Sequence, residues 1–520
     1  MKKSCLILWF SLLFIPTINS QIRLSKNTFL SRKHSVNQLR KDIDFTFKKI
    51  KKLHPNLYHY ITEKELDRKI DSVKKSINTP LTSEEFYFII TPLIAEIKQG
   101  HNTVYFPTIL DGLNNPKYPK QYTLLNCFEF EKIEGKIVVS NFICDSNNPL
   151  LGAEIISINN TPTSYYTEKY GFAIQGDGLN TTFNKRMKAL YLSEMVYNEN
   201  NELDSINISF LFNNSIIDTT FYQYKYYQSY DEYDPDWDSE VRVLTKKNPE
   251  EIEEYRDSVL NNTHFYKYLD SNKTTALLTI KGFGASNFSI YDSCFKEFDS
   301  LKTKTLIIDL RNNLGGSLDE IHYLTRYLEQ EEFVFINEVE SSTKIPITKA
   351  IWGTEDKGFS FIYKLALSPI LMIFEQFGSA RNKDKIIYKH AGSKLSKPQK
   401  HNFKGNVYVL INGNSYSASS ILSAYLQGSG IATIVGEECG GAYNGCVAGI
   451  PKVITLPHSK LYVSFGMLYT KTPYTQFPDG YGVIPDYTIF PTLEHHKKGI
   501  DTELEWILKQ IEKNKVVEEN

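Results

Sequence analysis

TLIIDLRNNLGG, residues 305–316, decides how the second half of this 520-residue chain is read. TLIIDL is a short apolar run with β-branched members, the mark of a buried strand. It runs into Arg311-Asn312-Asn313-Leu314-Gly315-Gly316, a turn in which two glycines leave the backbone bare. Ser317 to Gln330 then reads as a helix. Working outward, ALLTIKGF at 276–283 is a second strand and the segment around Tyr291 to Leu301 a helix. Downstream come the strand NVYVLIN (406–412), the loop GNSY, a helix from about Ser417 to Gln427, the strand IATIVG and the Gly-rich loop CGGAYNGC (439–446). This alternation is of the α/β kind. Strands ending in Gly-rich turns that feed helix N-termini place backbone N–H groups at one edge of a sheet, where anionic centres are stabilised.

Ahead of this core the pattern changes twice. Val36, Leu39, Ile43, Phe47, Ile50 and Leu53 recur at intervals of three or four, predicting a helix that Pro55 stops. Thr62 with Glu65, and Thr82 with Glu85, have capping-box spacing and mark two more helix starts. From about Tyr122 to Tyr224 the runs are short and β-branched (KIVVSNFI, GAEIISIN, SINISFLF), separated by Asn-rich turns. The expected organisation is a signal peptide over 1–20, an N-terminal helical domain over 21–115 and a β-rich module over 116–225. A polar connecting segment over 226–273, the α/β core over 274–495 with an insertion at 331–403, and a C-terminal helix over 496–520 complete it. At roughly 150 residues per domain, each of about three domains is long enough to bury a core of its own. Within the insertion, Phe359 to Phe374 is apolar but interrupted by Lys364 and Pro369. It falls short of the ~20 residues a bilayer span needs, and is read as a buried helix or a lid over a site, with membrane contact the lesser reading.

Lys+Arg 59 against Asp+Glu 60 excludes a disordered chain and a basic nucleic-acid-binding surface. No HExxH, no paired CxxC and no phosphate-binding loop occurs, so no metal or cofactor is expected. Lys2 and Lys3, the apolar run Leu6 to Ile15 and the short polar stretch before Gln21 read as a secretory signal, which implies a periplasmic or extracellular protein. Cys5 leaves with it. Cys127, Cys144, Cys294, Cys439 and Cys446 remain, an odd number. Cys127 with Cys144, and Cys439 with Cys446, are spaced for local bridges, and equally for small buried hydrophobes.

Four pieces carry chemistry. Ser417 stands between a strand and a helix, where its hydroxyl is reachable and the following Ala418 amide points at any negative oxygen formed nearby. An ordinary helix N-cap would use the same residue. Gly315 and Gly316 close the other turn and offer a second bare amide, or simply a tight turn. His101, in KQGHNTV, can take a serine proton near neutral pH. Asp479, in FPDGYGVIPD, can hold an imidazole in the required tautomer, or serve as a turn residue beside Gly480, a role that fits Asp486 better still.

Taken together, the chain resembles the tail-specific, or C-terminal processing, serine peptidases, including the tricorn core and retinoid-binding branches. The resemblance rests on HPNLY (54–58), GH (100–101), GAEIISIN (152–159), ALLTIKGF through LIIDLRNNLGG (276–316), VYVLINGNSYSASS (407–420), GEECGGAYNG (436–445) and GVIPD (482–486). It implies a crotonase-like α/β core, preceded by a helical domain and a PDZ-like β module. It implies Ser417 as nucleophile and the amides around Gly315, Gly316 and Ala418 as oxyanion hole. Where one branch has a lysine base this chain has Ala442. The tricorn-like branch uses a histidine, matched by His101, and a glutamate, matched by the shorter Asp479; a serine before that histidine is replaced by Gly100. The expected activity is hydrolysis of protein or peptide substrates, with C-terminal tails the ligands a PDZ-like module implies. A carrier on the same scaffold, with 359–374 lining a lipophilic cavity, is the alternative; a crotonase-like acyl-group enzyme fits the core but neither the signal nor the β module.

Overall fold

A computed structural model describes residues 32–105, 121–142 apart from 124, 126 and 127, and then 150–200, 205–225, 263–284, 288–353, 358–382 and 385–518. The expected signal peptide, Cys127, Cys144 and most of the connecting segment lie outside these residues.

Three helices open the chain: α1 (Val36–Leu53), α2 (Glu63–Ser76) and α3 (Ser83–Ala95). Leu39, Ile43, Phe47, Ile50 and Leu53 of α1 are buried along one stripe. Thr82 and Glu85 form a reciprocal capping box, and so do Ser35 and Gln38. Thr62 accepts from the Glu65 N–H. After α3 the chain turns through Gln99-Gly100-His101 into the short strand β1 (Thr103–Tyr105).

Next come β2 (Gln121–Thr123), β3 (Phe128–Ile133), β4 (Lys136–Phe142), β5 (Glu154–Ile158) and β6 (Thr161–Pro162). They are followed by α4 (Thr163–Gly171), α5 (Thr182–Leu190), α6 (Leu192–Asn200), β7 (Ser205–Phe212) and β8 (Ser215–Lys225). The strands form one antiparallel sheet in the order β2-β8-β7-β5-β4-β3, with β6 on β5. Within this β-rich stretch three short helices, α4 to α6, stand between β6 and β7.

The remaining strands are β9 (His264–Tyr268), β10 (Thr275–Ile280), β11 (Thr305–Asp309), the insertion's β12 (Glu338–Ser341), β13 (Ser379–Asn382) and β14 (Lys385–Tyr388), then β15 (Asn406–Ile411), β16 (Ala432–Gly436), β17 (Gly445–Thr455), β18 (Tyr462–Lys471) and β19 (Tyr487–Thr488). Helices α7 (Phe288–Leu301), α8 (Leu318–Leu328), α9 (Pro346–Ile351), α10 (Gly358–Gly378), α11 (Ala418–Gly428), α12 (Leu493–Lys497) and α13 (Thr502–Glu518) interleave. The central sheet runs β19-β16-β15-β11-β10-β9, parallel except for β9. Its inner strands β10, β11, β15 and β16 are largely buried on both faces. Leu306 and Ile308 pack toward α7, α8 and α11, while Ile307 meets Ile507 and Ile511 of α13. A second, antiparallel sheet joins β1 to β18, β12, β14 and β13, with β17 on β18.

The helical domain does not own its core. Residues of α1 to α3, of β3, β4, β5 and β7, and Ile454, Leu456, Leu461, Val463, Phe465 and Met467 around the β17–β18 turn form one buried cluster. Buried Asp42 of α1 reinforces the join by accepting from the amides of His458 (3.0 Å) and Ser459 (2.7 Å) and the Ser459 hydroxyl (2.6 Å). Cys439 and Cys446 are unpaired thiols, as is Cys294, and all three are buried. The expected buried helix over 359–374 is α10, continuous through Pro369, but most of its apolar side chains face outward.

Candidate active site

The parallel strands β11, β15 and β16 end side by side, and their following loops meet there. Tyr416 N–H donates to the Asn313 carbonyl (3.0 Å) and the Ser415 hydroxyl to the Leu310 carbonyl (2.8 Å), binding the loop after β15 to the loop after β11. Ser417 sits at the sharp turn from β15 into α11 with φ 56° and ψ −116°. A non-glycine residue held there costs roughly 1–3 kcal/mol and persists only because the surroundings enforce it. The side chain makes no cap hydrogen bond, whereas Ser317 at the start of α8 accepts from the Glu320 N–H. Ser417 is thus not an ordinary N-cap; its hydroxyl points away from its own helix.

Gly315 packs directly against this turn. A Cβ there would lie 2.7 Å from the Ser417 Cβ and 2.8 Å from the Ala418 nitrogen, so only glycine fits. Its own N–H already donates to Asn313 Oδ1 (2.8 Å). The backbone on either side of Gly316 is paired with Phe283, through Phe283 N–H to the Gly315 carbonyl and Ser317 N–H to the Phe283 carbonyl. Among the described residues the amides of Gly316 and Ala418 have no acceptor, which leaves these two, rather than all three expected donors, free to meet an anionic oxygen.

His101, on the segment entering β1, reaches across from the front of the chain. Its Nε2 lies 3.1 Å from Ser417 Oγ. Its Nδ1 lies 3.0 Å from the Tyr416 hydroxyl, with the two rings stacked at 4.9 Å. Behind them is Asp177, 1% exposed, on the loop between α4 and α5. Its carboxylate accepts from Gly100 N–H (2.7 Å), from Ala442 N–H (3.4 Å) and from the Tyr416 hydroxyl (3.5 Å). Burial lowers the His101 pKa below its ordinary 6.5, and the attraction of Asp177 partly offsets this. Burial raises the Asp177 pKa, opposed by His101 and by its hydrogen-bond donors. Burial and then Asp177 push the Tyr416 phenol far up, so it stays a hydroxyl.

Gly100 is explained by the same cluster: a Cβ there would fall 2.2 Å from the Tyr416 hydroxyl oxygen. The phenol fills the space that a side chain at 100 would need. Cys446 completes the wall, its Sγ lying within 4.8 Å of ligand atoms of His101 and Asp177. A cation bound by these three would have to displace the Tyr416 hydroxyl and ionise a thiol whose pKa burial raises well above normal.

Asp479 does not partner His101. Its Oδ2 lies 2.7 Å from His59 Nε2, and its Oδ1 accepts from Asn444 Nδ2 (2.8 Å) and from Gly480 N–H (2.7 Å). The loop carrying it touches the Asp177 loop, Leu179 N–H donating to the Gly480 carbonyl at 2.7 Å, so the expected acid is one loop away from the one beside the histidine. Asp486 accepts from Ile434 N–H (2.7 Å) and Gln427 Nε2 (3.0 Å) and pins strand ends together. Sequence reasoning missed Asp177 and Tyr416. The first carries only a loop signature between Gly176 and Gly178, and the second only its place beside Ser417.

Residues 274–489 match Peptidase family S41. No curated protein matches the sequence. Among solved structures, the chain is similar to mature CPAF complexed with lactacystin at 13% identity and TM-score 0.58, covering 89% of this chain and 96% of that one. Mature CPAF gives 12% identity and TM-score 0.55 over 89% and 94%. The photosystem II D1 C-terminal processing protease aligns at 13% identity over 90% of this chain and 95% of that one, with TM-score 0.44. The CPAF alignments extend the shared fold over the front half, where His101 and Asp177 lie outside the matched family segment. The chain thus carries, over residues 274–489, a domain of peptidase family S41, the serine-type peptidases.

Proposed function

We propose that this chain is an exported serine endopeptidase in which Ser417 is the nucleophile and His101 the general base. The observation that carries this reading is the 3.1 Å approach of His101 Nε2 to Ser417 Oγ across 316 residues of sequence. For Nε2 to accept the serine proton, Nδ1 must carry hydrogen, and it then donates to the Tyr416 hydroxyl. That hydroxyl in turn donates to Asp177. Each group in the chain donates once, so the tautomer is fixed without a carboxylate bonded directly to the imidazole.

In the first step Oγ attacks the scissile carbonyl as His101 takes its proton, and the oxyanion is met by the amides of Gly316 and Ala418. His101 then returns the proton to the leaving amine. Water deprotonated by the same nitrogen hydrolyses the acyl-enzyme. The positive charge that develops on His101 is stabilised by buried Asp177, whose carboxylate replaces the expected Asp479 in this role.

The same reading takes 116–225 as a PDZ-like module that presents extended peptide ends, C-terminal tails included, and the central parallel sheet as a crotonase-like core. Export rests on the N-terminal sequence. The carrier reading loses its cavity, because the apolar side chains of α10 face outward.

Labelling with a serine-directed fluorophosphonate is the test. Wild type is expected to label, Ser417→Ala not at all, and His101→Ala at least about 100-fold more slowly. Undiminished labelling of Ser417→Ala would move the nucleophile elsewhere.

A further inference from the structure

Helix α10 is built the wrong way round for a water-facing helix. Among its described side chains the buried positions are Ser368, Leu371 and Glu375, spaced three and four apart, and two of the three are polar. Both polar side chains are held by the body of the protein. Trp352 Nε1 donates to the Ser368 hydroxyl (2.8 Å), and the Thr348 N–H (3.0 Å) and hydroxyl (2.5 Å) and the Ile347 N–H all donate to the Glu375 carboxylate. The outward arc is apolar: Ile362, Leu365, Ile370, Ile373 and Phe374 are each more than half exposed, and Phe377 is 76% exposed. Only 17% of the apolar window Phe361–Gly378 is buried, so this is neither a core helix nor an N-terminal leader. The 21-residue helix is about 30 Å long and is hydrogen-bonded to the protein at Ser368 and Glu375, about two turns apart, so it lies along a surface rather than crossing it.

We propose that α10 seats this protein on an anionic lipid surface. Two observations favour lipid as the occupant. The apolar arc takes in nearly every position outside the narrow inward stripe, wider than the single seam that a partner helix covers, whereas a fluid acyl phase covers any arc. The chain leaving the helix is also strongly basic. Residues 379–400 carry Arg381, Lys383, Lys385, Lys389, Lys394, Lys397 and Lys400 against Asp384 alone; Lys385 pairs with Glu340 and Lys397 with Glu332, and the others add to the basic character of the segment. Lys389 Nζ is bonded to the Phe377 carbonyl (2.9 Å), which puts a cation at the very end of the apolar arc. Basic groups beside an interfacial helix are attracted to anionic headgroups. The exposed rings of Phe361, Tyr363, Phe374 and Phe377 suit the boundary between headgroups and acyl chains.

The test is amide hydrogen exchange of the full chain with and without vesicles of phosphatidylcholine and phosphatidylglycerol in equal parts, read locally over residues 361–378. This readout is blind to anything the N-terminal apolar run does. Exchange there is expected to slow about tenfold or more with these vesicles, and clearly less with phosphatidylcholine alone. Ile362→Glu/Ile373→Glu/Phe377→Glu, at three outward positions, is expected to abolish the protection while fluorophosphonate labelling stays at the wild-type rate. Phe377→Glu alone should lose part of it. Wild-type exchange unchanged by either vesicle would overturn the proposal, as would full protection in the triple variant. Protection that grows with protein concentration without lipid, together with a doubled mass by light scattering, would assign the face to a second copy of the chain and equally end the lipid reading.

Discussion

In the proposed mechanism the base is oriented by a phenol, and a carboxylate acts from behind it. This division of labour has a pH signature. Burial holds the His101 pKa below 6.5 and Asp177 pulls it back up. Catalysis needs the neutral imidazole, so kcat/KM is expected to rise with pH through a midpoint below 6.5. Asp177→Asn removes the attraction that favours the imidazolium. The midpoint should therefore move further toward acid, while the plateau falls about 100–10,000-fold as the cation formed in the transition state loses its counter-charge. Tyr416→Phe should lower the plateau with Asp177 still present. A pH–rate profile of each variant checks this, and an unmoved midpoint in Asp177→Asn would show that the carboxylate does not act on His101. Ser417 and His101, which the fold brings to 3.1 Å of each other, could be singled out because each sits in a short contiguous motif. Asp177 was not, since nothing local distinguishes a loop aspartate that faces a histidine from one that does not. Asp479 was misassigned for the same reason: its motif marks a strand start, and whether it meets His59 or His101 is decided by tertiary packing.

At the level of elements, the strands of the central sheet were readable because runs such as TLIID and NVYVLI are apolar throughout, as burial on both faces requires. Helix α4 was not. TSYYTEKYG is rich in strand-favouring residues, yet Tyr166 and Tyr170, four apart, are both buried against the shared core, and packing overrides propensity. For α10 the composition was plain but its orientation was not, because an apolar run reads alike whether it faces a core or a surface. The Gly-Val-x-Pro-Asp motif shows how an element end can be structural. Asp486 satisfies the Ile434 N–H within β16 and holds Gln427 at the end of α11. Asp486→Ala leaves that amide unpaired and is expected to cost about 1–3 kcal/mol, read as a lowered urea midpoint. The labelling rate of the folded protein should stay unchanged, and a collapse of that rate without loss of stability would give Asp486 a catalytic role instead.

Across the whole molecule, the proposed nucleophile and base belong to parts of the chain joined through β18. Ser417 rides on the central sheet, whereas His101 enters β1, which pairs with β18, and β18 carries Val463, Phe465 and Met467 into the cluster shared with α1 to α3. Length alone suggested separate domains with separate cores, since sequence periodicity reports which face of a helix is apolar and not which distant strand covers it. Because the cluster is common property, the helical front should not unfold by itself. Amide exchange in α1 to α3 and fluorophosphonate labelling at Ser417 are expected to be lost at the same denaturant concentration. Asp42 offers the lever: Asp42→Ala leaves the half-buried His458 amide and the buried Ser459 amide and hydroxyl unpaired, a cost of about 3 kcal/mol. Although Asp42 touches nothing in the active site, both transitions should shift downward together. If the helices melted first and labelling survived, His101 would be held by local contacts of the β1 segment alone, and the joint core would not be what brings base and nucleophile together.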